Sequence, residues 1–321
     1  MFNFKKLQEM WYESYWNFIL NNLDKNWDWK LLSKNPNIKY SYIVNSNLPW
    51  EWKYVSLNSS LTWDIIKLNP SIWCWYNISK NPCINWAIIK NNPEYNWNFK
   101  AFSLNPNLTW TIIVDNPQLN WDWYEIAKHK NIDWNIIKNN PNYPWVIVAV
   151  SLNPNITWSI IQDNISFHWN WKYLSAHNNI NWDIVKNNDR DWNWKWLCKN
   201  NNMTWGVLEG NPHTPWNSYK YWLSQNKNID WNFIKTHHYN WDIKGLSMNQ
   251  NIDFDIITNN DLDWDYNLIS NNDMKFAKIK WINKYRLNYI SAKTIQRYWR
   301  LVTSNLDYKL ARTLYRKLFI D

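Results

Sequence analysis

Residues 105–123 read NPNLTWTIIVDNPQLNWDW, and an Asn-Pro pair followed after three residues by Trp occurs twice within them. Asparagine tolerates turn conformations and proline cannot continue a helix, so each pair marks a helix end. Thr109 and Asn120, directly before the two tryptophans, have side chains that accept hydrogen bonds from the free N–H groups of a helix's first turn. The stretch therefore predicts short helices, each opened by a tryptophan that points into a core.

The same pattern runs along most of the chain. Two interleaved aromatic columns repeat in steps of about 24 residues, and eleven repeats cover residues 27–276, which is typical of a solenoid. The first column is Trp27, Trp50, Trp73, Trp97, Trp121, Trp145, Trp169, Trp192, Trp216, Trp241 and Trp264. The second column is Tyr40, Trp63, Trp86, Trp110, Trp134, Trp158, Trp182, Trp205, Trp231, Phe254 and Phe276.

The predicted fold is an all-α solenoid in which each repeat holds a longer and a shorter helix. Residues 121–129 suit the longer helix and residues 110–116 the shorter one. Helices this short are not stable alone, so stacked indole rings must hold the repeats together. We expect an elongated array on the order of 100 Å long. The alternative is a β-solenoid, which the Ile-rich pieces 110–114 and 145–148 would suit, although three glycines are few for its turns.

Two flanking segments complete the predicted organisation. Residues 1–26, with apolar side chains at helical spacing, suit an N-terminal helical cap, and residues 277–321 suit a basic amphipathic helical segment. Residues 276–321 hold 11 of the 35 basic residues and 2 of the 26 acidic ones, which leaves 24 of each sign in the rest of the chain. The excess positive charge therefore lies in the C-terminal segment, as expected of a partner-binding appendage.

Composition also bounds the location of the chain. No apolar run reaches the roughly 18 residues that span a bilayer, and charges interrupt residues 1–20 where a signal peptide would be apolar. We expect a monomer that is not secreted and has no transmembrane segment. The three cysteines have no metal-binding spacing and are expected to be reduced.

The recurring phrase NPN[IL]TW.II, at residues 105–113 and 153–161, resembles tandem-repeat proteins of Mimivirus-type giant DNA viruses, many of which end in a basic piece similar to residues 292–300. This resemblance implies an infected host's cytoplasm, including the virus factory, or the virus particle as the setting, and it implies no activity. The alternation of helices in a 24-residue unit is similar to leucine-rich-repeat-variant solenoids, with Trp in the role of Leu.

No catalytic constellation is found in the sequence. The histidines at 129, 168, 177, 213, 237 and 238 fall at different repeat phases, and glycine occurs only at 206, 210 and 245, so neither a metal site nor a phosphate loop is predicted. Asp253 and Asp255 lie where a helix start needs them. We expect no enzymatic activity, no metal and no cofactor.

A third set of aromatic residues follows the first column two positions later. Two residues on a helix are about 200° apart, so these rings cannot face the same core as the first column. They either form an exposed ladder able to stack on sugars, bases or a partner's apolar side chains, or they pack between successive repeats. These candidate ligand residues are Trp29, Trp52, Trp75, Phe99, Trp123, Trp171 and Trp194.

The C-terminal segment carries a second candidate surface. Residues 290–306 have apolar side chains near helical spacing with basic residues between them, and residues 295–300 resemble half of the IQ motif that calmodulin-like proteins bind. Such a helix could also bind nucleic acid or an anionic membrane surface, or it could seal the last repeat. The candidate contact residues are Ile295, Gln296, Arg297, Trp299, Arg300, Arg312, Arg316 and Lys317.

The function predicted from these features is a non-enzymatic scaffold that binds a protein partner through its elongated surface, with the basic segment as cap and second contact. Two alternatives remain open. The first is a glycan-binding module that uses the aromatic ladder, and the second is attachment to nucleic acid through the basic segment.

Overall fold

The computed structural model describes residues 4–237 and 239–304, and every regular element within them is a helix, with turns and loops between. The all-α repeat fold is therefore confirmed. The β-solenoid alternative is wrong for the described residues, since both Ile-rich pieces form helices, Trp110–Val114 and Ile147–Val150. Helical hydrogen bonds, side-chain caps and indole N–H donors satisfy the backbone locally, so no strand pairing is required.

The repeat helices form two layers. The first layer consists of α2 (Trp29–Lys34), α4 (Trp52–Val55), α6 (Trp75–Lys80), α8 (Phe99–Phe102), α10 (Trp123–Ala127), α12 (Ile147–Val150), α14 (Trp171–Leu174), α16 (Trp194–Lys199), α18 (Lys220–Leu223), α20 (Ile243–Ser247) and α22 (Tyr266–Ser270). The second layer consists of α3 (Tyr40–Val44), α5 (Trp63–Leu68), α7 (Trp86–Asn91), α9 (Trp110–Val114), α11 (Trp134–Asn139), α13 (Trp158–Asp163), α15 (Trp182–Asn187), α17 (Trp205–Glu209), α19 (Trp231–Thr236) and α21 (Phe254–Thr258). Two longer helices, α1 (Phe4–Leu20) and α23 (Lys275–Ser304), flank them.

Helix boundaries correct two expectations. Second-layer helices begin at the column aromatic as predicted, with Thr109 accepting a hydrogen bond from the Ile112 N–H. Ten of the eleven first-layer helices begin two residues after their tryptophan, because the residue between them is the cap, as Asp122 is for α10. The exception is α18, which follows a 3₁₀ helix, Pro215–Tyr219, that contains Trp216. The first-layer half is therefore not the longer one: α10 and α9 have 5 residues each.

The first-column tryptophans are tied to the turn that precedes them. The Trp121 indole N–H donates to the Asn116 carbonyl at 2.9 Å, and Trp97 and Trp145 make the equivalent bond to Asn92 and Asn140. A leucine or phenylalanine could fill the same volume but could not donate this bond. The bond favours tryptophan at these positions, and Trp216 is an exception because its buried indole N–H makes no hydrogen bond.

Buried asparagines at the ends of first-layer helices connect each repeat to the one before it. We call the column asparagine ladder, and its members are Asn35, Asn58, Asn81, Asn105, His129, Asn153, His177, Asn200, Asn226, Asn249 and Asn272. The Asn81 amide donates to the Ser56 and Asn58 carbonyls at 3.0 Å each, and its oxygen accepts from the Cys83 N–H. The asparagines of the Asn-Pro pairs, four of which belong to the ladder, are predicted to stop helices in left-handed or turn conformations, but Met274 is the only non-glycine described with positive φ. Their side chains, rather than their backbone freedom, explain the asparagines.

A serine column runs beside the asparagine ladder. Ser103 Oγ, at the end of α8, accepts from the Asp122 N–H that opens the next first-layer segment, at 2.9 Å. The same bond joins eight other pairs of repeats, and it is missing where Ala127 and Cys198 replace serine.

Both columns of hydrogen bonds continue from the last repeat into the first. The Asp28 N–H donates to Ser270 Oγ at 3.0 Å, and the Asn35 amide donates to the Ser270 and Asn272 carbonyls at 3.0 and 3.1 Å. Bonds of the same kind join neighbouring repeats inside the array, and here they are made across 235 or more residues of sequence. The eleven repeats therefore form a closed ring, and the expected elongated array is wrong. The small rotation at each repeat interface accumulates to a full turn.

The first layer lines the inside of this ring. Successive first-layer helices approach closely enough that a Cβ on Gly245 of α20 would lie 2.4 Å from the Tyr221 carbonyl oxygen of α18. Successive second-layer helices are spaced more widely in the described residues. Because the inner circumference of a ring is the shorter one, the closely spaced layer must lie inside.

Helix α1 packs over the seam where the ring closes. Trp11 lies 4.9 Å from the Phe254 ring and 5.7 Å from Trp281 of α23, and its indole N–H donates to Asn37 of the first repeat. The N-terminal segment is helical as expected, but it bridges the last and first repeats instead of covering an open end. Helix α23 runs without a break across the expected boundary at residue 277.

Candidate functional site

The third aromatic set packs between successive repeats. Each ring meets the first-column tryptophan of the next repeat edge to face, as Trp75 does with Trp97 at 5.0 Å and Trp123 with Trp145 at 5.3 Å. The same geometry holds for Trp29, Trp52, Phe99, Trp171 and Trp194, and Tyr266 repeats it with Trp27 across the seam. Six of the seven are half-buried and Trp52 is exposed, so this packing takes up part of each ring.

The first-layer helices, which form the inner layer of the ring, are rich in lysine. These eleven helices contain ten lysines and a single carboxylate, Glu125, whose Oε2 lies 2.8 Å from Lys128 Nζ. The ten repeat helices of the outer layer contain five lysines and five carboxylates. The outer helices are therefore neutral, and the carboxylates that balance the inner lysines lie in caps, loops and α1. Five of them, Asp28, Glu51, Asp122, Asp242 and Asp265, are half-buried N-caps of first-layer helices. The inner lysines are Lys30, Lys34, Lys53, Lys80, Lys100, Lys172, Lys195, Lys199, Lys220 and Lys244.

These lysines point away from the outer layer. In α2 the buried residues are Leu32 and Ser33, whereas Lys30 is exposed and Lys34 half-buried. In six repeats a lysine comes directly after the position of the third aromatic set, which is two residues after the first-column tryptophan, and all six of these lysine side chains are exposed. The recurrence of Lys after W-x-W is present in the sequence, but its meaning depends on knowing that this face lines a ring.

Inner-wall ammonium groups interact across repeats. Burial lowers the pKa of Lys80, and the positive charges of Lys34 and Lys53, two repeats and one repeat away, act in the same direction, while Cys74 and Glu125 act against it. Charges from three consecutive repeats reach one another because the wall is concave. Aromatic rings lie among them: Lys80 Nζ is 4.3 Å from the Tyr76 ring centroid.

The C-terminal candidate contacts lie on a helix that extends from the ring. Ala277 and Ile282 are buried, which shows that the first two turns of α23 pack on the body, but Ile295 is 65% and Trp299 63% exposed. This exposure argues against the alternative in which Trp299 seals the last repeat. Gln296, Arg297 and Arg300 are also exposed, whereas Arg312, Arg316 and Lys317 lie outside the described residues. The described part of α23 contains no carboxylate.

Two histidines take structural places in the asparagine ladder. His129 Nε2 lies 3.0 Å from the Asn105 carbonyl, and its Nδ1 accepts from the Asn131 N–H, so the ring is held as the neutral Nε2–H tautomer. Burial lowers the pKa of His129 and of His177 below the ordinary 6.5, although their backbone bonds act against it. A pKa that is lower in the folded state means that this contribution to stability is present above 6.5 and is lost as the pH falls.

Other titratable groups are also used by the fold. Asp253 accepts from the Ile256 N–H at 2.8 Å, as expected of a helix start, and burial raises its pKa despite this bond. Burial raises the pKa of Cys198 to about 12, which makes it a poor nucleophile. The described residues contain no group of three His, Cys, Asp or Glu side chains placed to hold a metal ion. No helix in the described ranges has both the length and the apolar character needed to cross a membrane.

Comparison with known proteins gives no identification: no protein-family model, no curated protein and no solved structure matches this chain.

Proposed function

We propose that the protein is a non-enzymatic ring scaffold that holds a protein partner. The closed hydrogen-bonded ladder carries this proposal, because it makes a rigid frame in which buried polar and titratable groups are engaged in repeat-to-repeat bonds. His129 and His177 join repeats, Asp253 caps a helix and Glu125 is paired with Lys128, and these roles support a structural rather than a catalytic use of each group. A frame of this kind presents its rims, its outer face and the extended part of α23 to partners.

The exposed part of α23 is the proposed second contact. Ile290, Ile295 and Trp299 present apolar surface between basic side chains, which suits an acidic amphipathic segment of a partner. The resemblance to giant-virus repeat proteins supports a setting in the infected cytoplasm or the virion.

Crosslinking with mass spectrometry in the native source tests the scaffold. We expect crosslinks from the ring and from α23 to one protein at stoichiometric yield, and loss of the α23 crosslinks alone in an Ile295→Ser, Trp299→Ser variant. An Asn283→Ser, Asn288→Ser variant on the same helix is the matched control. Turnover of a substrate by the purified protein, abolished by single inner-wall substitutions, would replace the scaffold with an enzyme.

A glycan-binding role for the third aromatic set has less support, because neighbouring tryptophans already contact each ring edge. Quenching of tryptophan fluorescence by oligosaccharides would support it, and an unchanged spectrum across a panel of oligosaccharides would remove it.

A further inference from the structure

The inner wall of the ring combines three properties that do not occur together elsewhere on the described surface. It is concave and closed, its helices carry ten lysines against one carboxylate apart from the half-buried N-cap acids, and aromatic side chains lie among those lysines. Tyr76 is 48% and Trp196 39% exposed on this wall, and Lys199 Nζ lies 5.3 Å from the Trp222 ring centroid. A cationic surface with interspersed aromatic rings is the arrangement that binds single-stranded nucleic acid, since ammonium groups contact phosphates and rings stack on bases.

The size of the ring agrees with a strand inside it. Eleven helices spaced roughly 8 to 10 Å apart form a circle with a radius of about 16 Å through their axes. Subtracting a helix radius of about 5 Å leaves an opening roughly 20 Å across. Lysine side chains extend further into this space, so the phosphate backbone of one strand can contact ammonium groups from several repeats at once.

We propose that single-stranded nucleic acid binds along the inner wall, with its phosphates on the lysines and its bases against the wall's aromatic rings. This site is separate from the basic C-terminal helix, which is the other cationic surface of the protein. It also goes beyond the protein scaffold proposed above, because it depends on the inner wall alone.

Fluorescence anisotropy with the full-length protein and a labelled 30-nucleotide oligo-dT tests the site. We expect binding whose affinity falls steeply with salt, because each phosphate contact contributes about −0.7 to the slope of log K against log salt for single strands. A variant with Lys53→Gln, Lys100→Gln and Lys244→Gln should bind at least about tenfold more weakly at moderate salt, with a slope smaller by about 2.

Two matched variants lose the same net charge elsewhere. Lys90→Gln, Lys138→Gln and Lys235→Gln change the outer layer, and Lys284→Gln, Arg286→Gln and Arg297→Gln change α23; both should retain affinity within about twofold. Absence of binding to oligo-dT at low salt would overturn the inference. Equal losses in all three variants, or tighter binding of a duplex of the same length, would do the same. A protein partner crosslinked to a ring that binds no nucleic acid would leave the scaffold proposal intact.

Discussion

Replacement of Asn35 by alanine measures whether the ring is closed. Asn35 belongs to the first repeat, and its amide donates to the Ser270 and Asn272 carbonyls of the last one while its oxygen accepts from the Asn37 N–H. Asn81, inside the array, makes the same three bonds at distances of 3.0 Å. At about 1 kcal/mol net for each bond between buried groups, either substitution should lower the free energy of unfolding by about 3 kcal/mol.

Urea denaturation followed by circular dichroism gives both values, and an unchanged denaturant slope would show that the compactness of the end states is unaffected. In an open array Asn35 would keep only its bonds to Asn37 and to the Tyr15 hydroxyl of α1, so its replacement would cost about 1 to 2 kcal/mol. Asn139→Ala, at an exposed position, is the control and should change stability by less than about 0.5 kcal/mol. A cost for Asn35→Ala well below that for Asn81→Ala would refute ring closure.

Three further predictions follow from the repeat contacts. Ala127→Ser should restore the missing bond of the serine column and raise the free energy of unfolding by about 1 kcal/mol, measured by urea denaturation; a loss of stability would contradict this. Gly245→Ala should lower the free energy of unfolding by more than about 2 kcal/mol in the same assay, because the added Cβ would collide with the backbone of α18. Gly206→Ala is the control: its added Cβ would have nothing within 4 Å, and the substitution should raise the free energy of unfolding by up to about 1 kcal/mol. The double variant His129→Asn, His177→Asn should lose less thermal stability than the wild type as the pH falls below 6.5, because these histidines bind protons more readily in the unfolded state than in the folded one. Melting temperatures measured across this pH range test it, and the same pH dependence in both proteins would contradict the neutral state assigned to the two rings.

The sequence predicts the local structure of this protein well because the signals for it are local. Thr109 and Asp253 cap helices where expected, and the aromatic columns mark the repeats. The asparagine ladder is harder to predict from the sequence, because an Asn-Pro pair is already explained as a helix end. Asn58 and Asn226, among others, lie in the ladder with no proline after them, which indicates that the asparagine side chain is what the position requires.

Closure of the ring and the basic inner wall could not be predicted in the same way. Closure depends on a small rotation that accumulates over eleven interfaces, and no single repeat contains a signal for it. The sequence around Asn35 is that of any ladder position, so it does not reveal whether Asn35 contacts Asn272 or lies at a free end. The lysines acquire a common direction only once the inner face is known, so their recurrence after W-x-W resembles an ordinary solvated helix face.

Closure also restricts how this protein can evolve. An open solenoid can gain or lose a unit through duplication or deletion in its gene, since each unit meets only its neighbours and a free terminus tolerates the change. Here, removing one unit leaves a gap of one-eleventh of a turn between Ser270 and Asp28, and inserting one makes the two termini overlap. Families built on this frame should therefore vary in the side chains that each unit presents while keeping the number of units constant.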